Sequence, residues 1–443
     1  MRNFKKILKC IIFAIICCII FAICDFIFVP SGYVRVILHT LNYSDEKYDC
    51  IILGASHGRS AIDPYKLDET LGTNAINLCI PSETMEDSYY LLKESCRNNN
   101  PKTVILDLDY QYWYDLAEND FSDAFIYYQL EPSKVKAEYF VNNLMTKDVR
   151  ITFSRWSNYI SDFSNIKDKV ASKFQNEYKN YDINGADVKG ADGPYVGNGF
   201  FYRAQGGHGA RGFIERRKWN NDKVDNKVVK QFEDIVNYCN ANGIKLICVT
   251  STITPATVLT GTAEASAKYF TQLTSKYGVD YYDFNLLRQD VMPRGNLDFG
   301  DWDGHMCGAL ADQYSSIMAT VIKDAQGGTV DRTKYFYNSY AALYEDVNTV
   351  MYCQTGLLIT KNADETYNIS FDIDSLAGTN VVPEYQIIAG TTTGATVLSD
   401  YSQQTKYSFD LPQGTYTIRV NARAVGSKAD YEEYCEKAAA LGQ

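Results

Sequence analysis

Tyr48-Asp-Cys-Ile-Ile-Leu-Gly-Ala-Ser-His-Gly-Arg-Ser-Ala-Ile-Asp-Pro64 runs an apolar stretch, Cys50 to Leu53, straight into a small-residue turn that carries one serine, Ser56. Parallel α/β proteins gather ligands at the carboxyl ends of their strands, so a serine presented there is a candidate nucleophile. The same pattern also describes an ordinary turn with a capping serine. Residues further along the chain decide between the two.

From Tyr48 onward strands and helices alternate. Asp63-Pro64 opens a short helix through Leu71, Asn74 to Cys79 reads as a second strand, Met85 to Asn98 as a helix and Thr103 to Leu108 as a third strand. Three such units in succession imply a parallel sheet. The rhythm breaks over an insertion at about 114–217, helical and aromatic-rich at first and Gly-rich from Asn184 to Gly212, which is expected to pack over the sheet's carboxyl edge. The Gly-rich part reads as a flexible loop; the alternative is a lid carrying Arg203, His208 and Arg211 towards an anionic or polyhydroxyl ligand. Helix and strand patterns then resume at Lys223 to Asn240, Ile244 to Thr250, Thr262 to Tyr277 and Val279 to Phe284, followed by the loop Leu297 to Met306 and a last helix through Ile322.

Beyond Gly327 the texture changes. Residues 335–425 alternate in polarity between turn residues, which predicts a small antiparallel β-sandwich, expected to be dispensable for turnover of a small ester. A capped helix is expected at 427–441.

The amino-terminal end reads as an anchor. Residues 10–29 are apolar except for Asp25, and about 20 helical residues cross the bilayer hydrocarbon. Arg2, Lys5, Lys6 and Lys9 lie in the preceding tail, residues 1–9, so the positive-inside rule places that tail in the cytoplasm and the rest of the chain outside. A cleaved signal peptide is the rival reading, but the run is long and lacks an Ala-x-Ala-like site. Residues 30–47 form a linker, and 48–325 the α/β domain.

With 443 residues and a net charge of −11, the chain has no basic tract beyond its first nine residues, which excludes a nucleic-acid partner. Four of twelve cysteines (Cys10, Cys17, Cys18, Cys24) fall in the anchor, and the others are read as free buried thiols rather than a disulfide framework. No spacing suggests a metal site, and no cofactor is expected.

Gly54-Ala55-Ser56-His57-Gly58 satisfies the nucleophile-elbow pattern of α/β-hydrolases, but Ser56 follows the first strand and no oxyanion element precedes it. The chain instead resembles the SGNH/GDSL hydrolase superfamily at four places in the right order. Ile52-Leu53-Gly54-Ala55-Ser56 resembles the nucleophile block, and Ile76 to Thr84 the block whose Gly donates a backbone N–H to the oxyanion. Val104 to Tyr112 stands where the third strand delivers an Asn, and Asp303-Gly304-His305 stands in place of the final Asp/His block. Within the superfamily it looks most like membrane-anchored acyl-transfer proteins of bacterial surface polymers, the teichoic-acid D-alanylation and alginate acetyltransferase type.

That resemblance implies a three-layer, flavodoxin-like parallel sheet and an acyl-Ser56 intermediate. It assigns His305 as general base, Asp303 as its orienting acid with Asp301 as the alternative, and Ser56 N–H, Ser82 N–H and the Gln111 amide as the oxyanion hole. Ser82 and Gln111 replace the family's Gly and Asn. His57, Arg59, Asn77 and Asp301 are candidate substrate-binding residues; His39 and His208 are not placed to act as base. The implied function is a serine esterase or O-acyltransferase acting on a cell-surface polysaccharide or teichoic-type polymer, beside a membrane-bound O-acyltransferase. The alternative is a catalytically silent scaffold or glycan-binding partner of such an enzyme.

Overall fold

Every residue of Cys50-Ile-Ile-Leu53 is buried, the pattern of a strand covered on both faces. In the computed structural model, which describes residues 2–29, 32–114, 122–144, 165–185, 193–205, 213–214, 218–328 and 330–442, this strand, β1, lies inside a parallel sheet. It pairs with β2 (Ala75–Asn77) on one side and β3 (Thr103–Asp107) on the other, placing Ile52 opposite both Asn77 and Ile105. The insertion contributes a short ribbon, β4 (Tyr195–Gly197) and β5 (Phe200–Phe201). The chain then returns to the sheet as β6 (Lys245–Thr250) and β7 (Asp280–Asp283), giving the order β2-β1-β3-β6-β7.

This is the flavodoxin-like doubly wound order, and the chain leaves β1 and β3 in opposite directions, so a crevice opens at the carboxyl ends of those two strands. Alternate residues of each strand enter different cores. Ile51, Leu53, Ile76, Val104 and Leu106 join Phe232 and Phe270 in one layer. Cys50, Ile52, Ile105 and Val249 join Tyr314 and Met318 in the other. Three layers result, as expected.

Helix α1 spans Arg2–Phe28, and its Phe4–Phe28 portion is long and apolar enough to cross a membrane, with its side chains directed away from the protein core. The expected linker is largely a helix, α2 (Tyr33–Tyr43). Tyr33, Val34, Ile37, Leu38 and Leu41 recur at helical spacing and pack into the first core, and the Tyr33 hydroxyl donates to the Cys79 carbonyl at 3.3 Å. The functional turn continues into α3 (Ser56–Ala61), and α4 (Pro64–Leu71) follows under an Asp63 cap. Then comes α5 (Met85–Asn98), which starts on a Thr84/Asp87 capping box.

The described parts of the insertion touch both the sheet's flank and the loop at its carboxyl edge, where the Arg203 carbonyl accepts the Gly308 N–H at 2.8 Å. Asn198 of the ribbon accepts the Asn77 N–H at 2.9 Å beside edge strand β2. The helix Lys134–Asn143 packs on α5, where the Tyr139 ring meets Tyr90 at 4.4 Å.

The carboxyl-terminal region is two antiparallel four-stranded sheets. One holds β8 (Val350–Thr355), β9 (Leu358–Lys361), β10 (Tyr367–Ala377) and a later strand, Lys406–Leu411. The other holds β11 (Pro383–Thr391), β12 (Gly394–Ser402), Gly414–Ala424 and Glu433–Leu441. In chain order the last three of these are β13 (Lys406–Leu411), β14 (Gly414–Ala424) and β15 (Glu433–Leu441). The expected helix at 427–441 is therefore a strand, paired with β14 so that Thr417 faces Ala438. Its helix formers Glu, Lys and Ala are overridden because Cys435, Ala439 and Leu441 alternate into the sandwich core. Short helices occupy Arg332–Tyr335 and Tyr340–Asp346, so the sandwich begins near Val350 rather than 335. All twelve cysteines are free thiols; the Cys353 and Cys435 sulfurs approach to 3.9 Å inside the sandwich.

Candidate active site

β1 ends at Leu53, and the turn that follows depends on Gly54. Its φ of +145° is a conformation that glycine tolerates, and a Cβ there would come within 2.9 Å of the Asp107 Cβ. The tight turn sets Ser56 as the first residue of α3, half-buried at the crevice with its backbone N–H among the unpaired donors of a helix start.

His305 arrives on a loop closed by backbone pairing between Phe299 and Met306. Asp301 organises that loop. Its Oδ1 accepts the Gly304 and His305 N–H groups at 3.0 and 3.2 Å, and its Oδ2 lies 2.7 Å from His305 Nδ1. Gly304 has φ +110°, where a Cβ would strike Ile253 at 2.5 Å, so the tight return needs glycine. Although burial alone would raise it, the His305 contacts and the two N–H donors hold the Asp301 carboxyl well below the usual carboxylate range.

The carboxylate that meets the imidazole is Asp301, not the favoured Asp303. Asp303 is exposed, and its backbone carbonyl is the group the site uses: His57 Nε2 contacts it at 3.1 Å. The loop turns between positions 301 and 305, so a four-residue spacing returns the acid to the base, whereas the residue two before His305 points outward.

His57 is not a ligand-facing residue. It is 4 % exposed, its Nδ1 forms a 2.7 Å ion pair with Asp109 Oδ2, and its ring centroid lies 4.9 Å from that of His305. Burial alone would lower the His57 pKa, but the Asp109 carboxylate, with Asp107 and Asp301 behind it, raises it to about 9. The two contacts, Nδ1 beside the Asp109 carboxylate and Nε2 beside the Asp303 carbonyl, favour the protonated ring. It ties α3, the end of β3 and the Asp301–His305 loop together. Asp107 is also buried, with Oδ1 accepting the Ser251 N–H at 2.9 Å, and burial pushes its pKa up to about 7.

Sequence reasoning missed Asp109. The signal was present in Asp107-Leu108-Asp109 at the carboxyl end of a buried strand, where charged residues need partners. Two residues before Gln111, the chain supplies the partner of His57. Gln111 is half-buried on a single helical turn, Tyr110–Tyr112, whose start is capped by Asp109.

Ser82 has φ +62°, the left-handed region that favours glycine, in an exposed turn after β2. The turn is held from beneath by Glu83, whose buried carboxylate accepts the Ile80 N–H at 2.9 Å and the Ser88 hydroxyl at 2.5 Å. A serine thus holds a backbone conformation that glycine adopts more readily.

Two further candidates are structural. Asn77 is fully buried; its amide donates to the carbonyls of Gly58 and Ile62 and its oxygen accepts the Cys79 N–H, so it ties α3 to β2. Arg59 is also buried, with its guanidinium over the Tyr33 and Phe201 rings at 4.8 and 5.2 Å, away from solvent. From the Gly-rich segment, Arg203 does reach the site, 3.9 Å from Asp301 Oδ2. His208 and Arg211 lie outside the described residues. Among the described residues no group of His, Cys, Asp and Glu side chains is arranged to hold a metal ion.

No protein-family model matches this chain, and no curated protein does. Solved structures similar to it include a putative acylhydrolase from Bacteroides fragilis, at 10% identity and a TM-score of 0.28, covering 65% of this chain and 90% of that one. A GDSL-like lipase from Bacteroides thetaiotaomicron has 10% identity and a TM-score of 0.29, covering 68% and 100%. The psychrotrophic esterase EstA from Pseudoalteromonas sp. has 11% identity and a TM-score of 0.26, covering 63% and 99%.

Proposed function

We propose that this chain is a membrane-anchored serine esterase or O-acyltransferase of the SGNH type, working outside the cytoplasm on a cell-surface polysaccharide or teichoic-type polymer. The observation that carries the reading is the Asp301–His305 pair, clasped through the Asp303 carbonyl to His57, the residue next to Ser56.

In this reading His305 Nε2 takes the Ser56 proton as Oγ attacks the acyl carbonyl, while Asp301 fixes the tautomer and stabilises the imidazolium. The N–H groups of Ser56 and Ser82, with the Gln111 amide, receive the oxyanion. Collapse expels the leaving alcohol with the proton held by His305 and leaves acyl-Ser56. An acceptor hydroxyl of the polymer, or water, then gives its proton to His305 and takes the acyl group, which restores Ser56. His57 acts as a positioning residue. The α1 helix supplies the anchor, and its basic tail supports a cytoplasmic amino terminus.

The test is intact-mass spectrometry of the full chain in detergent after treatment with a fluorophosphonate. An adduct on Ser56, absent from Ser56→Ala and His305→Ala, is expected. A folded protein that takes no adduct would favour the silent scaffold and overturn the catalytic reading.

A further inference from the structure

Cys353 lies within β8 and Cys435 near the start of β15, 82 residues further on, and both thiols are buried in the core of the sandwich. Each strand is the edge of its own sheet, in the orders β13-β10-β8 and β12-β11-β14-β15. Among the described residues no strand pairing joins these two sheets, so side-chain contacts hold their meeting edges shut. Glu432 is one such contact, its carboxylate accepting the Val350 N–H at 2.9 Å. Beside it the Cys353 and Cys435 sulfurs stand 3.9 Å apart. A disulfide needs about 2.05 Å, and the difference is within the sweep of a rotating Cβ–Sγ bond. Cys50 and Cys248, by contrast, enter opposite layers of the parallel sheet as small apolar residues.

The neighbours of Cys353 connect it to the candidate active site. Tyr352 meets the Trp302 ring at 5.4 Å, and its hydroxyl accepts the Ile214 N–H at 3.2 Å. The Met351 carbonyl accepts from the Asn296 amide at 2.6 Å. β8 is therefore a brace along the segment from Asn296 to His305. The Cys435 thiol and burial together push the Cys353 thiol up, so exchange needs the pair opened to water. β15 is an edge strand, which opens more readily than a central one.

We propose that Cys353 and Cys435 form a disulfide between the two sheets when the chain meets a disulfide-bearing oxidant outside the cytoplasm, and that this bond fixes β8 against the loop of His305. One cysteine, as its thiolate, attacks the oxidant's S–S bond, giving a mixed disulfide and one released thiol. The other then attacks the protein sulfur of that mixed disulfide and expels the second thiol. The Sγ–Sγ bond forms as the oxidant's S–S bond breaks, two electrons pass to the oxidant, and the two cysteine protons end on its thiols. The long loop that the bond closes restricts the unfolded chain. The inference rests on the extracytoplasmic part of the proposed function, because the cytoplasm keeps such pairs reduced.

Peptide mapping by mass spectrometry tests it, on the full chain taken from bacterial membranes into detergent with free thiols blocked by N-ethylmaleimide at lysis. A cross-linked pair of peptides holding Cys353 and Cys435 is expected, and it should be absent from Cys353→Ser and Cys435→Ser. A second sample, reduced and then equilibrated with a glutathione redox buffer and a catalytic amount of protein disulfide isomerase, should regain the cross-link. No cross-link in either sample would overturn the inference. A cross-link regained in the buffer but missing from the membranes would support the pair as a disulfide site and overturn the extracytoplasmic placement. Reduction should lower Tm by about 10 °C or more in the wild type and leave Cys353→Ser unchanged, a readout that does not need an active Ser56. Reduction should also slow fluorophosphonate labelling of Ser56 about threefold. With the cross-link mapped, a labelling rate unchanged on reduction would overturn the brace to the His305 loop.

Discussion

Asp301 Oδ2 lies 2.7 Å from His305 Nδ1, while the other oxygen of the same carboxylate accepts the backbone N–H groups of Gly304 and His305. One side chain therefore both shapes the loop and orients the base. Asp301→Asn is expected to lower the rate of acyl-enzyme formation by about three to four orders of magnitude, as loss of the triad acid does elsewhere. Asp303→Asn changes an exposed side chain and leaves the Asp303 carbonyl in place, so it should alter the rate less than about threefold. Stopped-flow release of p-nitrophenol from p-nitrophenyl acetate would rank the two, and the opposite order would remove Asp301 from the site.

The His57–Asp109 pair predicts a pH-dependent stability. His57 has a folded-state pKa of about 9 against an ordinary 6.5, so its contribution is complete below pH 6.5 and is lost as pH rises through about 9. The shift corresponds to about 3 kcal/mol at most. Urea unfolding should therefore show the wild type losing its advantage over His57→Gln between these pH values. A gap that stays constant across the interval would mean that His57 is not held as an imidazolium.

Ser82 pays a conformational cost at φ +62° that glycine does not. Ser82→Gly is expected to stabilise the chain by up to about 1 kcal/mol and to keep activity, because the backbone N–H remains. Ser82→Pro removes that N–H and demands a negative φ, so acyl-enzyme formation should collapse. Retained activity in a folded Ser82→Pro variant would take this turn out of the oxyanion hole.

Arg59 touches aromatic rings rather than the crevice. Arg59→Met should lower stability by about 1–2 kcal/mol through loss of two buried cation–π contacts. KM for a small ester should be unchanged, and a rise in KM with unaltered stability would return Arg59 to substrate binding.

The β-sandwich is not an independent appendage. Tyr352 of β8 meets the ring of Trp302, between Asp301 and Asp303, at 5.4 Å, and the Asn296 amide donates to the Met351 carbonyl at 2.6 Å. From sequence alone, truncation after Gly327 is expected to leave small-ester turnover intact. These contacts predict the contrary: Tyr352→Ala should reduce kcat about tenfold or more with a smaller change in KM, by loosening the loop that carries His305. An unchanged kcat would restore the sandwich to a separate role.

Local chemistry made the parallel sheet and the serine turn legible. Strands such as Cys50–Leu53 are short unbroken apolar runs, Gly54 marks a turn that only a residue without Cβ can make, and α1 is a length of apolar sequence that needs no tertiary information to recognise. The final strand was not legible, because Glu433–Leu441 carries helix-forming residues and becomes extended only when β14 is there to pair with it. Nor could spacing choose between Asp301 and Asp303, since the loop's path sends one carboxylate to His305 and the other to solvent.

Residue type and local periodicity determined which elements form and which side chains have catalytic chemistry. Long-range packing alone decided which of those side chains meet, because angstrom-scale contacts between distant segments are set by the whole core and leave no mark in local sequence.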